Sequence, residues 1–176
     1  MHPLNEFKRR MAMIQPDEIL RTGAKPWPGS WQTDHWRHVP SARWVGTDIA
    51  PGDGVDIIGD LQRLHELTTR TFDGIYSVST LEHVERPWLA IHAMAQLLKT
   101  GGAIYLHSHQ TFPLHGYPRD YFRFSIDALS MMCSDSGLFV VAAEYGAACT
   151  ITPPPDMAVW DDVAESYLDV MVCAIK

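Results

Sequence analysis

Between Arg43 and Trp88 the stretches RWVGTDIAPGDGVDIIGD and FDGIYSVSTLEHVERPW repeat one pattern, in which a short apolar run closes on a carboxylate or small polar residue and then meets a turn. In an open α/β sheet this is how a ligand site is built, because ligands sit in the crevice beyond the carboxyl ends of parallel strands. Asp48 closes the run Trp44 to Thr47, and Asp60 closes Val55 to Gly59, with the turn signal Pro51-Gly52-Asp53-Gly54 between them. A carboxylate at such a strand tip can accept both hydroxyls of a ribose. Burying an acid behind an apolar strand costs free energy unless something uses it, so Asp48 and then Asp60 are the first candidates for ligand contact. A third run, Phe72 to Ser79, ends in small hydroxyl residues that leave room for a ligand.

The rest of the chain alternates helical and strand-like patterns. Leu4, Phe7, Met11 and Ile14 recur at helical spacing with basic residues between them, predicting an amphipathic helix over residues 1–15 that Pro16 ends. Asp17 to Thr22 reads as a first strand, and Gly23 is the first residue able to turn sharply after it. Gln62 to Thr69 reads as a short helix. After Pro87, the residues Trp88, Ile91, Met94 or Ala95, and Leu98 share one core-facing stripe, with Gly101 suited to a left-handed stop. Ala103 to Ser108 is a central strand, residues 109–123 an aromatic, proline-interrupted loop, and Ser125 to Ser134 a helix with Ser125 as N-cap. Leu138 to Tyr145 and Tyr167 to Ile175 are β-rich, whereas Thr152 to Pro155 cannot be regular. Strands alternating with helices predict an α/β fold, a three-layer sandwich around a Rossmann-like, mainly parallel sheet.

At 176 residues the chain has the size of a single domain, residues 1–176. A net charge of -7 argues against a nucleic-acid binder, which must neutralise phosphates with lysine and arginine. Cys133, Cys149 and Cys173 are odd in number and widely spaced, so they suggest small core residues in a reducing compartment. Neither a signal peptide nor an apolar run of about 18 residues is present, and a cytoplasmic protein without membrane association is expected.

The order GTD, VDIIGD, FDGIYSVSTLEHV and LLKTGGAIYLHS resembles the class I S-adenosylmethionine-dependent methyltransferases over roughly Asp17 to Lys176. LEHVERPW followed by LLKTGG is the most specific part, and HQTFPLHGYPRDYFRFS resembles a loop of some small-molecule branches. The resemblance implies S-adenosyl-L-methionine as cofactor, methyl transfer as the activity, and an antiparallel last strand. It also implies a cofactor pocket formed by Gly23, Asp48, Ile49, Asp60, Leu61 and Ser77, the backbone of Leu61 contacting adenine beside Asp60. Glu82 and His83 match the family's EH pair. The glycine-rich loop departs from the family: Arg21 stands where an acid is common, and Lys25 where a second glycine is expected. Trp27, Trp31 and Trp36, with His35 and His38, offer an aromatic lid against which a sulfonium can lie through cation-π attraction.

Methyl transfer from a sulfonium is an in-line displacement that mainly demands positioning, with a base where the acceptor carries a proton. His109 and His115 are the candidates for that base, since histidine titrates near neutral pH. His83, Tyr117, Asp120 and Tyr121 are candidates for the wall of a small-molecule acceptor pocket, and Arg119 and Arg123 either orient an anionic group or pair with Asp120. The altered glycine loop leaves a second reading, a relative that has lost catalysis and serves as a binding or partner protein. His107, His109 and His115, spaced HxHx5H, are a zinc pattern in principle. The surrounding motif order already accounts for that loop as substrate lining, so no metal is expected.

Overall fold

The computed structural model describes residues 1–26, 42–116, 118–152 and 164–176. The aromatic lid residues Trp27, Trp31, His35, Trp36 and His38, the segment Pro153 to Pro155, and the pocket candidate Tyr117 lie outside the described residues.

Among the described residues the sheet has seven strands: β1 (Glu18–Thr22), β2 (Arg43–Asp48), β3 (Ile57–Ile58), β4 (Phe72–Val78), β5 (Leu98–His109), β6 (Phe139–Ile151) and β7 (Ala164–Ile175). Their order across the sheet is β3-β2-β1-β4-β5-β7-β6. The first five run parallel, and β7 inserts antiparallel between β5 and β6, pairing His107 with Met171 and His109 with Asp169. This is the expected three-layer α/β arrangement with an antiparallel last strand.

Helices cover both faces. On one, α1 (Pro3–Ile14) lays Phe7 and Met11 against Ile19, Tyr76, Tyr105 and Cys173. On the other, α2 (Leu64–Leu67), α3 (Pro87–Leu97) and α4 (Ile126–Asp135) enclose the larger core around Leu20, Val45, Ile75, Ile91, Met94, Ile104 and Leu106. Ser125 caps α4, its hydroxyl accepting from the Ala128 N–H at 3.1 Å. No helix among the described residues is long and apolar enough to cross a membrane.

Three sequence expectations shift. The third run contributes only two paired residues, Ile57 and Ile58, because Asp56 turns back to accept from the Gly46 N–H at 2.8 Å. Trp88 lies outside the α3 stripe: it is half exposed and packs edge-on against Phe122, while Ala90, Ile91, Ala93, Met94 and Leu97 face the core. Gly101 does not stop α3, since Leu98 is already extended. Its positive φ of 82° serves a turn at the start of β5, where its N–H donates to the Lys176 carbonyl at 2.8 Å.

The second strand tip depends on one close approach. A Cβ at Gly46 would stand 1.8 Å from the Gly54 carbonyl oxygen and 2.8 Å from the Ala24 side chain, so only glycine lets the turn after β2 fold back and aim Asp48. Gly46→Ala is therefore expected to destabilise the protein by at least about 1 to 3 kcal/mol, the usual cost of overpacking. An unchanged urea midpoint would contradict this account.

Candidate active site

At the carboxyl ends of β1, β2, β4 and β5 lies a cleft of about 600 Å³, within the range of small-molecule sites. Thr22, Gly23, Asp48, Ile49, Asp60 and Leu61 line one end; His83, His109, Phe112, His115, Arg119 and Tyr121 line the other.

Asp48 is nearly buried at the tip of β2. Its Oδ2 accepts from the Lys25 N–H at 3.0 Å and its Oδ1 from the Ala50 N–H at 3.2 Å, and each carboxylate oxygen keeps a further lone pair for a ligand. These bonds also hold the loop after β1, which lacks the second glycine. The Ala24 N–H donates to the Thr47 carbonyl, and Arg21 reaches round to donate to the Ala24 carbonyl at 2.9 Å. Arg21 thus braces this loop from within. Gly23 has φ +59°, and a Cβ there would lie 2.5 Å from Thr80 Oγ1, so the first turn after β1 requires glycine.

Asp60 caps the 3-10 turn Leu61–Arg63 through the Gln62 N–H at 2.9 Å, leaving Leu61 on the cleft wall. Ile49 is more than half exposed beside Asp48 and offers an apolar surface. Ser77 does not line the cleft. It is fully buried one layer below and accepts a 2.8 Å bond from Thr22 Oγ1, which itself lines the cleft. Beyond it Ser79 adopts φ 47°, a strained backbone for a non-glycine residue, at the point where β4 opens into the site.

The other end is built around Glu82, fully buried in the turn after β4. Its Oε2 accepts from Ser108 Oγ at 2.7 Å, and its Oε1 stands 3.0 Å from His109 Nε2. Burial raises the Glu82 carboxyl, but His109 and Ser108 outweigh this and hold it below its usual range. His109 is correspondingly placed: burial lowers its pKa, yet Asp169 on β7 and Glu82 raise it to about 9. Phe112 stacks on the His109 ring at 4.1 Å between centroids.

His115 reaches the same spot from the loop. Its Nδ1–H donates to the Pro113 carbonyl at 3.1 Å, and since a carbonyl only accepts, the neutral ring keeps its lone pair on Nε2. His83 is fixed likewise by the Arg119 carbonyl at 2.6 Å. The His115 ring meets those of His83 and His109 edge-on at 4.9 and 5.4 Å.

Asp120 does not line the cleft. It accepts from the His115 N–H at 2.9 Å and from Arg123 at 2.5 and 2.7 Å, and the arginine holds its carboxyl well below the usual range. Arg123 also donates to the Phe112 and Pro113 carbonyls, so the Asp120–Arg123 pair fixes the loop that carries His115. Tyr121 and Arg119 stand at the lip. His107 turns away, its Nε2 3.5 Å from Asp169, and burial lowers its pKa.

Sequence reasoning missed Asp169, Ser108, Thr80 and Phe112. Asp169 carried a signal, being a lone acid inside the apolar run of the last strand. Thr80 and Ser108 carried none, because small hydroxyl residues are ordinary at strand ends.

A methyltransferase-domain family model matches residues 32–106. Among solved structures, an S-adenosylmethionine-dependent methyltransferase from Archaeoglobus fulgidus is similar with a TM-score of 0.65 at 14% identity, over 98% of this chain and 94% of that one. One from Mesorhizobium loti reaches 0.61 at 18% identity, over 98% and 100%. The 1,6-didemethyltoxoflavin-N1-methyltransferase of Burkholderia thailandensis, solved with 1,6-didemethyltoxoflavin and S-adenosylhomocysteine bound, reaches 0.63 at 14% identity, over 99% and 78%. At these identities the likeness is one of fold. No curated protein matches the sequence.

Proposed function

From a chain whose fold and methyltransferase-domain match are those of the class I S-adenosylmethionine-dependent methyltransferase superfamily, we infer an enzyme that transfers the methyl group of S-adenosylmethionine to a small-molecule acceptor. The observation that carries this reading is the continuous cleft joining the carboxylate-tipped end at Asp48 and Asp60 to the histidine end at His109 and His115.

In this reading the Asp48 carboxylate accepts the ribose hydroxyls, Ile49 and Leu61 flank the adenine, Asp60 fixes the turn beside it, and Gly23 admits the cofactor close to the backbone. Ser77 acts from below, through Thr22. The bound cofactor supplies an electrophilic methyl group directed toward the other end. There His83, His109, His115 and Tyr121 surround the acceptor, which must be held in line with the methyl for displacement. His109, set between Glu82 and Asp169, positions an oxygen or nitrogen of the acceptor. His115, set by Pro113 and Asp120, takes its proton where there is one to lose. A cleft of about 600 Å³ is of the size that small-molecule sites have, which supports a compact acceptor.

Calorimetric titration with S-adenosylhomocysteine and S-adenosylmethionine tests the cofactor half, with binding of one molecule per chain as the expected result. Failure to bind either at millimolar concentration would overturn it. Binding without turnover across a broad acceptor screen would favour the alternative, a relative that retains the pocket but not the reaction.

A further inference from the structure

We propose that Glu82, His109 and His115 form a site for one divalent transition-metal ion, of the zinc, iron(II) or manganese(II) class, whose open positions take an oxygen or nitrogen of the acceptor. The acceptor's part in this rests on the methyl-transfer reading above, with both imidazoles then neutral ligands and the bound ion, in place of His115 as base, easing loss of the acceptor's proton; the ion site itself does not rest on that reading.

One donor atom from each of the three residues lies within 4.8 Å of the other two. Glu82 Oε1 and His109 Nε2 are 3.0 Å apart, yet this oxygen makes no hydrogen bond. An imidazole N–H this close to a buried carboxylate would normally point straight at it. A fully buried carboxylate oxygen left without a donor is a polar atom that an ion would satisfy. With metal–ligand distances of about 2.0 to 2.1 Å, a 3.0 Å separation subtends roughly 95° at the ion, acceptable for tetrahedral or octahedral geometry. His115, with its Nδ1–H held by Pro113, joins them from the loop as the third residue of the cluster. Two imidazoles and a carboxylate with open positions suit zinc or non-haem iron(II), and suit magnesium poorly.

The surroundings support the same assignment. Metal-binding histidines are oriented by a carboxylate or carbonyl on their far nitrogen, and ligating carboxylates are themselves hydrogen-bonded. Here the Pro113 carbonyl accepts from His115 Nδ1 and Ser108 donates to Glu82 Oε2 at 2.7 Å, while Asp169 Oδ1 stands near His109 Nδ1 at 3.7 Å, beyond hydrogen-bond distance. Glu82 and Asp169 bring two carboxylates against this imidazole, whereas Asp120 already has Arg123. An ion beside Glu82 offsets the charge of a carboxylate that is fully buried. The chelating set thus differs from the HxHx5H triplet: His107 is turned toward Asp169, and Glu82 takes its place.

The test is titration of chelator-treated protein with Zn²⁺ by calorimetry and with Co²⁺ by visible absorption, for wild type, Glu82→Gln and His115→Ala. Wild type is expected to bind one ion per chain, with Co²⁺ bands of nitrogen and oxygen coordination. Either substitution should weaken binding by about 10²-fold or more. His115 sits on a loop, so His115→Ala keeps the test decisive if Glu82→Gln fails to fold. The absence of a single site in wild type, a thiolate charge-transfer band from a cysteine, or unchanged affinity in His115→Ala would each overturn the proposal. S-adenosylhomocysteine titrated into the same samples separates the two readings: its failure to bind to wild type that still takes one ion would sink the methyltransferase reading and leave the ion site standing.

Discussion

Replacing His115 by alanine is expected to lower methyl-transfer turnover by about 10²- to 10⁴-fold while S-adenosylhomocysteine still binds, the loss typical of removing a positioned proton-transfer group. The expectation rests on how thoroughly this side chain is fixed. Its backbone N–H is held by Asp120, its Nδ1 by the Pro113 carbonyl, and its ring lies against His83, His109 and Phe112. Few loop histidines are constrained on so many sides without use, and the cofactor end, across the cleft, does not depend on it. His109→Ala should also abolish most turnover, but it leaves Glu82 and Asp169 facing one another without the imidazolium. Its effect on folding will therefore be mixed with its effect on chemistry, and His115→Ala is the cleaner measurement. With an acceptor found by screening, wild-type turnover in both variants would reduce the loop to a structural cover and move the chemistry to His83 or to positioning alone.

Asp48→Ala should weaken binding of S-adenosylmethionine and S-adenosylhomocysteine by about 1.5 to 3 kcal/mol, the range for lost hydrogen bonds to a charged group. This corresponds to roughly 10- to 150-fold in Kd. Because Asp48 also accepts from the Lys25 and Ala50 N–H groups, part of any loss can come from a loosened loop. Asp48→Asn, which retains one accepting oxygen, separates these contributions: it should preserve thermal stability better than affinity. Calorimetry beside a binding wild type decides the matter, and unchanged affinity in Asp48→Ala would remove the carboxylate from the cofactor site.

The framework was legible in the sequence because periodicity and punctuation carry it. The apolar runs before Asp48, before Asp60 and through Phe72 to Val78 appear as β2, β3 and β4 of one parallel sheet, and Ser125 caps its helix. What failed was finer. Trp88 has the spacing of a core residue, but the 3.6-residue period leaves the edge of a stripe undetermined, and Phe122 offered it an alternative partner on the surface. Gly101 carries the mark of a helix stop and serves instead a turn within the sheet. At the site, single residues could be nominated from chemistry, whereas their pairing could not. Glu82, His109 and Asp169 come from a turn, a central strand and the last strand, and only the register His109 to Asp169 brings the last two together. That register is set by side-chain packing along two strands separated by about a third of the chain, which no local pattern encodes.

The position of β7 makes one strand close two edges of the sheet. Among the described residues β6 pairs with β7 alone, and β7 also covers the edge of β5. Without β7 in place, β5 would be an open edge and β6 a strand without a neighbour, both liable to pair with other chains. The same strand delivers Asp169 to His109. The electrostatic setting of His109 therefore hangs on the same strand that closes both edges, so loosening β7 would disturb the histidine end of the cleft while leaving Asp48, separated from β7 by three strands of the sheet, in place.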